Sequence, residues 1–296
     1  MLALAMILDA VLGEPDWAWR RVPHPVVLIG RAIRWAEGLL NRGPSRRMAG
    51  AAMVAGLVLA MGAIGWVLSY PIVEIVLVAI LLAQRSLVDH VRAVAHALEV
   101  SQQAGRDAVA QIVGRETAEM EESDIARAAI ESAAENFSDG VVAPVFWFAV
   151  AGLPGILIYK AVNTADSMVG YRTKRYREFG WAPARLDDVL NWIPARLSGL
   201  LLACVSLAGG RPFEVMARDA GLHRSPNAGW PEAAMAGALN IALSGPRVYD
   251  GRRTDDPYVN ADGRKDVRVM DIHAACGLLW RAWAVLLLCA WGMGRL

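Results

Sequence analysis

Polar and acidic residues recur at helical spacing in YKAVNTADSMVGYRTKRY, residues 159–176, at the end of a long apolar run. Asn163, Asp166 and Ser167 lie three or four residues apart, so a helix would place them on one face with Lys160. A carboxylate beside an apolar run is costly unless a cation or hydrogen-bond donors compensate it, so Asp166 is a candidate catalytic residue. Asn163 and Ser167 are candidate substrate ligands, and we expect Lys160 to reach a phosphate. A helix cap followed by a basic membrane anchor is the alternative.

A second stretch, ARAAIESAAENFSDG, carries Glu131, Glu135 and Asp139 at intervals of four residues. Like charges at this spacing repel, and carboxylates near a helix C-terminus also meet the negative end of the helix dipole. A bound cation would offset both penalties. We therefore predict that these three carboxylates hold Mg²⁺ and that the neighbouring Asn136 contacts substrate. A solvated helix face is the alternative.

A third stretch, RLDDVLNWIPARLSG, combines acids, an amide and a basic residue. Asp187 and Asp188 precede Asn191 by four and three residues, and Arg196 follows a proline. Paired oxygen ligands, completed by waters and substrate phosphates, are what Mg²⁺ prefers. We predict that Asp187 and Asp188 bind a metal and that Arg196 binds substrate.

Two histidines are candidates for proton transfer. His223 begins HRSPNAGWPEAAMAG, where Ser225 and Asn227 precede an apolar helix whose N-terminal N–H groups can bind an anion. A plain capping loop is the alternative for this substrate-binding pair. His24 lies between two prolines in RRVPHPVVLIGR, so it is either a rigidly held proton carrier or a buried structural imidazole. The chain contains neither G-x-x-x-x-G-K-[ST] nor a G-x-G-x-x-G motif after a strand, so no standard nucleotide loop is predicted.

The elements that carry these residues are predicted to be membrane helices. The chain has 296 residues, of which 55% are apolar and 20% charged, and its mean hydropathy of +0.33 is unusually high for a soluble domain. Residues 48–69 form an uncharged run of 22, enough to cross a hydrocarbon core of about 30 Å. Tyr70-Pro71 then predicts a turn, after which IVEIVLVAILLA runs back as the second arm of a helical hairpin.

The remaining segments complete an all-α, polytopic membrane protein. Apolar positions from Gln84 to about Val113 recur at helical spacing among polar residues, which predicts a cytoplasmic amphipathic helix, and Ser123 is expected to cap another running to about Asn136. The apolar run 141–162 is interrupted by proline and glycine, so it is either one kinked span or a re-entrant pair. Further apolar segments are 196–210, 231–243 and 274–294, of which the last is clearly long enough to span. We expect about four to five membrane-embedded segments in a single catalytic domain, 1–296.

Charge distribution predicts the orientation. Seven arginines lie between Arg20 and Arg47, and segments 84–140 and 160–195 contain a further five and six Lys or Arg residues, whereas the Tyr70-Pro71 turn carries no basic residue. By the positive-inside rule the large polar loops face the cytoplasm. The net charge of +1 gives no global field for binding nucleic acid. Three cysteines inside apolar stretches have no metal-ligand spacing, and we expect them to be small buried residues.

At these residues the chain resembles the adenosylcobinamide-phosphate synthase family (CobD/CbiB) of cobalamin biosynthesis. The similar stretches are PHPVVLIG, RAAIESAAENFSDGVVAPVFWF, YKAVNTADSMVGYRTKRYREFGW, LDDVLNWIPARL and HRSPNAGWPEAAMAGAL. They occur in the family's order, from about residue 8 to 251.

The resemblance implies a multi-pass enzyme of the cell inner membrane with its active site facing the cytoplasm. Its expected reaction joins adenosylcobyric acid to (R)-1-amino-2-propanol phosphate, or to free aminopropanol, as an amide, with ATP and Mg²⁺ as cofactors. The lipid bilayer is then a partner, nucleic acid is not, and association with other enzymes of the pathway is compatible with this role. Two other functions remain open from the residues alone, a magnesium-dependent membrane transferase of phosphorylated substrates and a transporter or assembly component.

Overall fold

The computed structural model describes residues 1–15, 19–249 and 252–294. Helices dominate these residues, so the predicted all-α class is confirmed. The helices are α1 (Leu2–Leu12), α2 (Pro25–Leu40), α3 (Arg46–Val67), α4 (Pro71–Leu81), α5 (Gln84–Val100), α6 (Gln102–Val109), α7 (Glu122–Phe137), α8 (Ala143–Val169), α9 (Trp181–Leu190), α10 (Trp192–Cys204), α11 (Arg211–Asp219), α12 (Gly229–Leu239) and α13 (Val269–Met293).

Four helical segments in the described part of the chain are long and apolar enough to cross a membrane. They are Arg46–Val67, Pro71–Val100, Glu122–Val169 and Val269–Met293. Two shorter apolar helices, Leu2–Leu12 and Trp192–Cys204, accompany them. This confirms a polytopic membrane protein, and Pro71 begins α4 where the sequence predicts a turn.

The chain divides into two compact units that alternate along the sequence. Unit 1 comprises residues 1–83, 139–192 and 290–296, and unit 2 comprises residues 84–138 and 193–289. The prediction of one domain over 1–296 remains a prediction.

Unit 1 is organised around α8, which packs against α2, α3 and α9. Small residues let α3 approach closely: a Cβ on Gly65 would lie 2.5 Å from the Cα of Pro154. On the opposite end of α3, a Cβ on Gly50 would lie 1.8 Å from the carbonyl oxygen of Phe179. Around these contacts lies an apolar core that includes the fully buried Ile33. The close packing fixes the C-terminal half of α8, which contains Lys160, Asn163 and Asp166.

The predicted interruption of segment 141–162 is present. Ala151 and Gly152 have non-helical backbone angles, and Gly152 has a φ of 61°, which a residue with a side chain adopts only with strain. Pro154 follows inside the helix and removes a backbone donor. A five-residue π-helical turn, Ser138–Val142, precedes α8. Turns of this kind are frequent at functional sites.

Unit 2 corrects two details of the predicted helices. The amphipathic segment from Gln84 is two helices, because Ser101 adopts an extended conformation and its hydroxyl accepts the N–H of Ala104 as the cap of α6. The cap of α7 is Glu121, which forms a reciprocal capping box with Asp124. Ser123 instead donates to the carbonyl oxygen of Lys265 at 2.8 Å.

Small two-stranded pairings in unit 2, which the sequence does not predict, follow α12. Strand β1 (Leu243–Ser244) pairs antiparallel with β4 (Tyr258–Val259), and β2 (Arg247–Tyr249) with β3 (Arg252–Thr254). Of the cysteines, Cys276 is buried as expected, whereas Cys204 and Cys289 are exposed. The expectation of three buried cysteines is therefore wrong for two of them, which lie on the outside of apolar helices.

Candidate active site

An acid–amide cluster in unit 1 joins three of the sequence motifs. It consists of Asp139, Tyr159, Asn163, Asp187 and Asn191. The Asn163 side-chain amide donates to Asp187 Oδ1 at 3.2 Å and to Asp139 Oδ2 at 3.4 Å. The Asn191 amide donates to Asp187 Oδ2 at 3.0 Å, so both oxygens of Asp187 accept from amides. The Tyr159 hydroxyl lies 2.9 Å from Asn191 Oδ1 and 3.1 Å from the carbonyl oxygen of Asp139.

The local structure explains how these side chains converge. Tyr159 and Asn163 are one turn apart on α8, and Asp187 and Asn191 are one turn apart at the end of α9. The indole N–H of Trp147 donates to the carbonyl oxygen of Leu190 at 3.1 Å, which holds the end of α9 against α8. Asp139 is presented by the π-helical turn rather than by a continuous α-helix.

The electrostatics of the cluster favour a positively charged ligand. Burial, together with the nearby carboxylates of Asp166 and Asp188, raises the pKa of Asp187 to about 7, although hydrogen bonds from the amides of Asn163 and Asn191 act in the opposite direction. Burial also raises the pKa of Asp188, while the positive charges of Arg185 and Arg172 oppose that shift. Three carboxylates thus crowd one half-buried region, and a divalent cation would stabilise their ionised forms.

Three other predicted residues lie near the cluster in the chain. Asp166 is half-buried. A Cβ on Gly170 would lie only 1.9 Å from its Oδ1, so this position of the Asp166 side chain requires glycine at residue 170. The hydroxyl of Ser167 is exposed and donates to the carbonyl oxygen of Asn163 at 2.9 Å. Lys160 is half-buried and interacts electrostatically with Asp139 and Glu14. The predicted lysine therefore faces a cluster carboxylate.

The remaining predicted acids line a pocket in unit 2. This unit 2 pocket has a volume of about 190 Å³ and includes Glu131, Glu135 and Asn136. Glu131 is buried, forms an ion pair with Arg115 at 3.1 Å and accepts the backbone N–H of Ser244 at 2.6 Å. Asn136 is exposed and donates to the carbonyl oxygen of Ser132, and Glu135 is also exposed.

His223 also lines the unit 2 pocket, and its tautomer follows from its contacts. Its Nδ1 accepts the backbone N–H of Ser225 at 3.0 Å, so Nδ1 is unprotonated. Its Nε2 lies 3.5 Å from Oε1 of Glu232, which is 2% exposed. The proton therefore lies on Nε2, between the imidazole and a buried carboxylate. This pair can hold and move a proton at the pocket surface.

The loop from His223 to Ala228 is folded on itself. The Ser225 hydroxyl accepts the N–H groups of Asn227 at 3.2 Å and Ala228 at 3.3 Å, which favours the capping alternative over an anion site. Arg196 donates to Asn227 Oδ1 at 3.3 Å, and its guanidinium lies 4.7 Å from the ring centre of Trp230.

His24 occupies a structural position in unit 1. It caps α2, where its Nδ1 accepts the N–H of Val26 at 3.2 Å, and its Nε2 lies 3.1 Å from the carbonyl oxygen of Ile80. Both ring nitrogens are engaged with the backbone, which favours the structural alternative over a proton carrier.

The predicted metal ligands are divided between the units. Asp139, Asp187 and Asp188 belong to unit 1, and Glu131 and Glu135 to unit 2. Within residues 1–15, 19–249 and 252–294, no three His, Cys, Asp or Glu side chains form a group that holds a metal by itself. Magnesium sites typically take one or two carboxylates and complete the octahedron with waters and phosphate oxygens. The carboxylates of Asp187 and Asp139, with amide oxygens nearby, fit that requirement.

Sequence reasoning missed three residues of these sites. Tyr159 is the first residue of the stretch 159–176 and lies on the same helical face as Asn163, so its helical spacing is a usable signal. Arg115 and Glu232 gave no such signal, because neither is at helical spacing from the residue that it contacts. Only tertiary structure brings Arg115 to Glu131 and Glu232 to His223.

Comparison with known proteins is decisive for the family. The model of the CobD/Cbib protein family matches residues 2–279. The chain belongs to this family. It is 50% identical over 300 residues to the cobalamin biosynthesis protein CobD of Brucella anthropi, covering 95% of this chain and 92% of that protein. It is 48% identical over 312 residues to the CobD protein of Rhizobium meliloti, covering 97% of this chain and 94% of that protein. It is 49% identical over 303 residues to the CobD protein of Rhodobacter capsulatus, covering 96% of this chain and 93% of that protein. No solved structure matches significantly.

Proposed function

We propose that the chain is an ATP-dependent amide ligase of cobalamin biosynthesis. Its substrates are adenosylcobyric acid and (R)-1-amino-2-propanol phosphate or free aminopropanol, and its product is adenosylcobinamide phosphate or adenosylcobinamide. Family membership supports the pathway, since the relatives are named cobalamin biosynthesis proteins.

The observation that carries the proposal is the crowding of Asp166, Asp187 and Asp188 around the acid–amide cluster. Buried carboxylates destabilise a fold unless donors or a cation offset the lost hydration. The cluster supplies amide donors to Asp187, but the charges of its two acidic neighbours remain. A site of this composition is suited to a metal-bound phosphate.

The chemistry of amide formation assigns roles to these residues. A carboxylate is activated by phosphoryl transfer from ATP, and an uncharged amine then displaces phosphate to give the amide. Asp187 and Asp139 would hold Mg²⁺, which would supply neutralisation of phosphate charge. Asn163 and Asn191 orient Asp187, and Lys160 compensates charge beside Asp139. Asp166 acts by orienting the phosphate or the amine.

The unit 2 pocket holds a pair of side chains that can transfer a proton. His223 with Glu232 is positioned to exchange a proton at Nε2, and the buried Nε of Arg115 has no hydrogen-bond partner among the described residues. We assign proton transfer within the unit 2 pocket to this histidine. The enzyme acts at the inner membrane with its site on the cytoplasmic side, as the arginine-rich loops favour.

The test is an assay of the purified protein in detergent with adenosylcobyric acid, aminopropanol phosphate, Mg²⁺ and ATP. Mass spectrometry should detect the amide product together with consumed ATP, and omission of either ATP or Mg²⁺ should abolish it. If no amide forms while an active relative converts the same substrates, the proposed function is wrong.

A further inference from the structure

A second concave feature of unit 1, the arginine cavity, is lined by Arg47, Arg172, Arg177 and Arg185 together with Trp181 and Asp188. Its volume of about 570 Å³ falls within the range of about 300–1,000 Å³ that small-molecule sites occupy. Four arginines therefore line one opening, and Glu178 and Asp188 are the acidic residues of the same lining.

Specific packing positions the loop that bears two of these arginines. The neighbouring Arg175 does not line the cavity. It forms a bidentate ion pair with Glu37, with Nε 3.0 Å from Oε1 and Nη2 3.1 Å from Oε2. Its carbonyl oxygen accepts from the side chain of Asn41 at 3.3 Å. At the end of the loop, a Cβ on Gly180 would lie 1.7 Å from the carbonyl oxygen of Val169, so the backbone is held tightly against α8. The loop is thereby anchored at Arg175 and Gly180.

The cavity arginines are left with little internal compensation. Within the described part of the chain, the side chains of Arg172 and Arg177 make no hydrogen bond or close ion pair, and Arg172 interacts with Asp188 only through its charge. The ion pair between Arg185 and Asp188 is long, at 3.5 Å, and solvent-exposed on the arginine side. Arg47 lies 3.8 Å from the ring centre of Trp181, a stacking contact that leaves its N–H edge available.

A membrane anchor does not account for this arrangement. Basic residues that only fix topology or attract anionic lipid can point in any direction at the membrane surface. These four come from three separate elements, the start of α3, the loop 170–180 and helix α9, yet they converge on one cavity. Like charges converge at a cost unless an anion joins them, and the planar guanidinium fork matches phosphate oxygens.

We propose that the arginine cavity binds the phosphate groups of a small molecule, with a polyphosphate chain as the ligand class. This inference deepens the proposed function, since it locates the phosphate-bearing substrate beside Asp188, a carboxylate that neighbours Asp187 of the acid–amide cluster. Arg172 and Arg177 neutralise the phosphate charge, and Arg185 adds a positive charge beside Asp188. Arg47, which stacks on Trp181, lines another side of the cavity.

Pyrophosphate, titrated into the full-length protein in detergent without corrinoid or ATP, tests the cavity directly by calorimetry. Wild-type protein should bind with an affinity that falls as salt rises. Arg172→Gln combined with Arg177→Gln should weaken binding at least tenfold, because two charge-assisted contacts with the phosphate groups are lost. Lys174→Gln, in the same loop but outside the cavity, is the matched control and should bind as wild type does.

A charge-conserving pair controls for misfolding. Arg172→Lys with Arg177→Lys should keep the melting temperature and recover part of the affinity, because lysine retains the charge without the planar fork. Equal binding by wild type and the double glutamine variant, or no binding by wild type in any arm, would overturn the proposal.

Nanodiscs distinguish a free phosphate from a lipid headgroup. Pyrophosphate should bind the protein in phosphatidylcholine discs. At high salt, its affinity for the protein in phosphatidylglycerol discs should be the same. If phosphatidylglycerol instead displaces pyrophosphate and is retained only by protein with intact arginines, the phosphate is that of a lipid and the polyphosphate assignment fails. These binding measurements do not depend on amide formation. If the protein binds pyrophosphate through its arginines but forms no amide, the proposed function is wrong and the phosphate-binding proposal is still supported.

Discussion

The side-chain amide of Asn163 donates to Oδ1 of Asp187 at 3.2 Å and thereby links α8 to α9. The two residues are 24 positions apart and belong to two motifs that the sequence presents separately. Because Asn191 donates to the other oxygen of Asp187, the carboxylate is fixed in orientation while its charge is only partly compensated. A fixed, incompletely compensated carboxylate is suited to hold a cation.

Replacement of Asp187 by asparagine should change the pH dependence of stability. The pKa of Asp187 is raised from 3.8 to about 7 in the fold, so between those values the folded state binds the proton more tightly than the unfolded chain. This contribution to stability is largest near pH 4 and falls as the pH rises to about 7, by an amount on the order of a few kcal/mol.

Thermal unfolding in detergent at pH 5 and pH 8, without metal, measures this effect. Asp187→Asn should reduce the loss of stability between the two values, and Mg²⁺ at pH 8 should restore stability in wild type alone. The exposed Glu119→Gln should behave like wild type. An identical pH profile for Asp187→Asn and wild type would contradict the assigned burial of this carboxyl group.

Replacement of Gly170 by alanine should displace the Asp166 carboxylate without altering any charge. The added Cβ would lie 1.9 Å from Asp166 Oδ1, whereas a Cβ on Gly56 meets no atom within 4 Å. We expect Gly170→Ala to lower kcat at least tenfold and Gly56→Ala to leave it unchanged, both measured by amide formation. If the two variants are equally active, the position of Asp166 does not matter for turnover.

The buried ion pair between Arg115 and Glu131 should be strongly coupled. Removal of one partner leaves a buried charge, so Glu131→Gln alone should destabilise the protein by about 3–5 kcal/mol. Combining it with Arg115→Gln should cost less than the sum of the single changes, as a double-mutant cycle of denaturation measurements would show. Additive losses would mean that the two charges do not interact.

The orientation can be tested in a variant that lacks Cys204, Cys276 and Cys289. A membrane-impermeant maleimide should label a cysteine at the exposed position of Tyr70 in intact spheroplasts. It should label the exposed position of Gln103 only after the cells are opened. The opposite pattern would reverse the predicted cytoplasmic side.

Much of this fold could be predicted from the sequence, because apolar runs and helical periodicity are local signals. The uncharged run 48–69 corresponds to α3, and the break in 141–162 corresponds to the backbone angles at Gly152. The sequence does not predict that Glu121 caps α7 in place of Ser123. The Ser123 hydroxyl instead donates to the carbonyl oxygen of Lys265, which lies far along the chain.

The candidate site was predictable only in part. Asn163, Asp187 and Asn191 were singled out by residue type and spacing, and the structure brings them into contact. The spacing of Glu131, Glu135 and Asp139 assumes one continuous α-helix, but a π-helical turn begins at Ser138 and alters the periodicity. The convergence of four arginines on one cavity depends on tertiary packing, and in the sequence Arg172 and Arg177 resemble part of a membrane anchor.

The central claim is that the acid–amide cluster and Asp166 carry out amide formation, and the kcat of Asp166→Asn tests it most directly. This change keeps the shape of the side chain and removes its charge. Steady-state assays with adenosylcobyric acid, aminopropanol phosphate, ATP and Mg²⁺ should show kcat lowered by about 10²-fold or more. Asn163→Ala should lose less, and Lys174→Ala almost nothing. A folded Asp166→Asn protein with wild-type kcat would contradict the account and leave this stretch as the end of a helix.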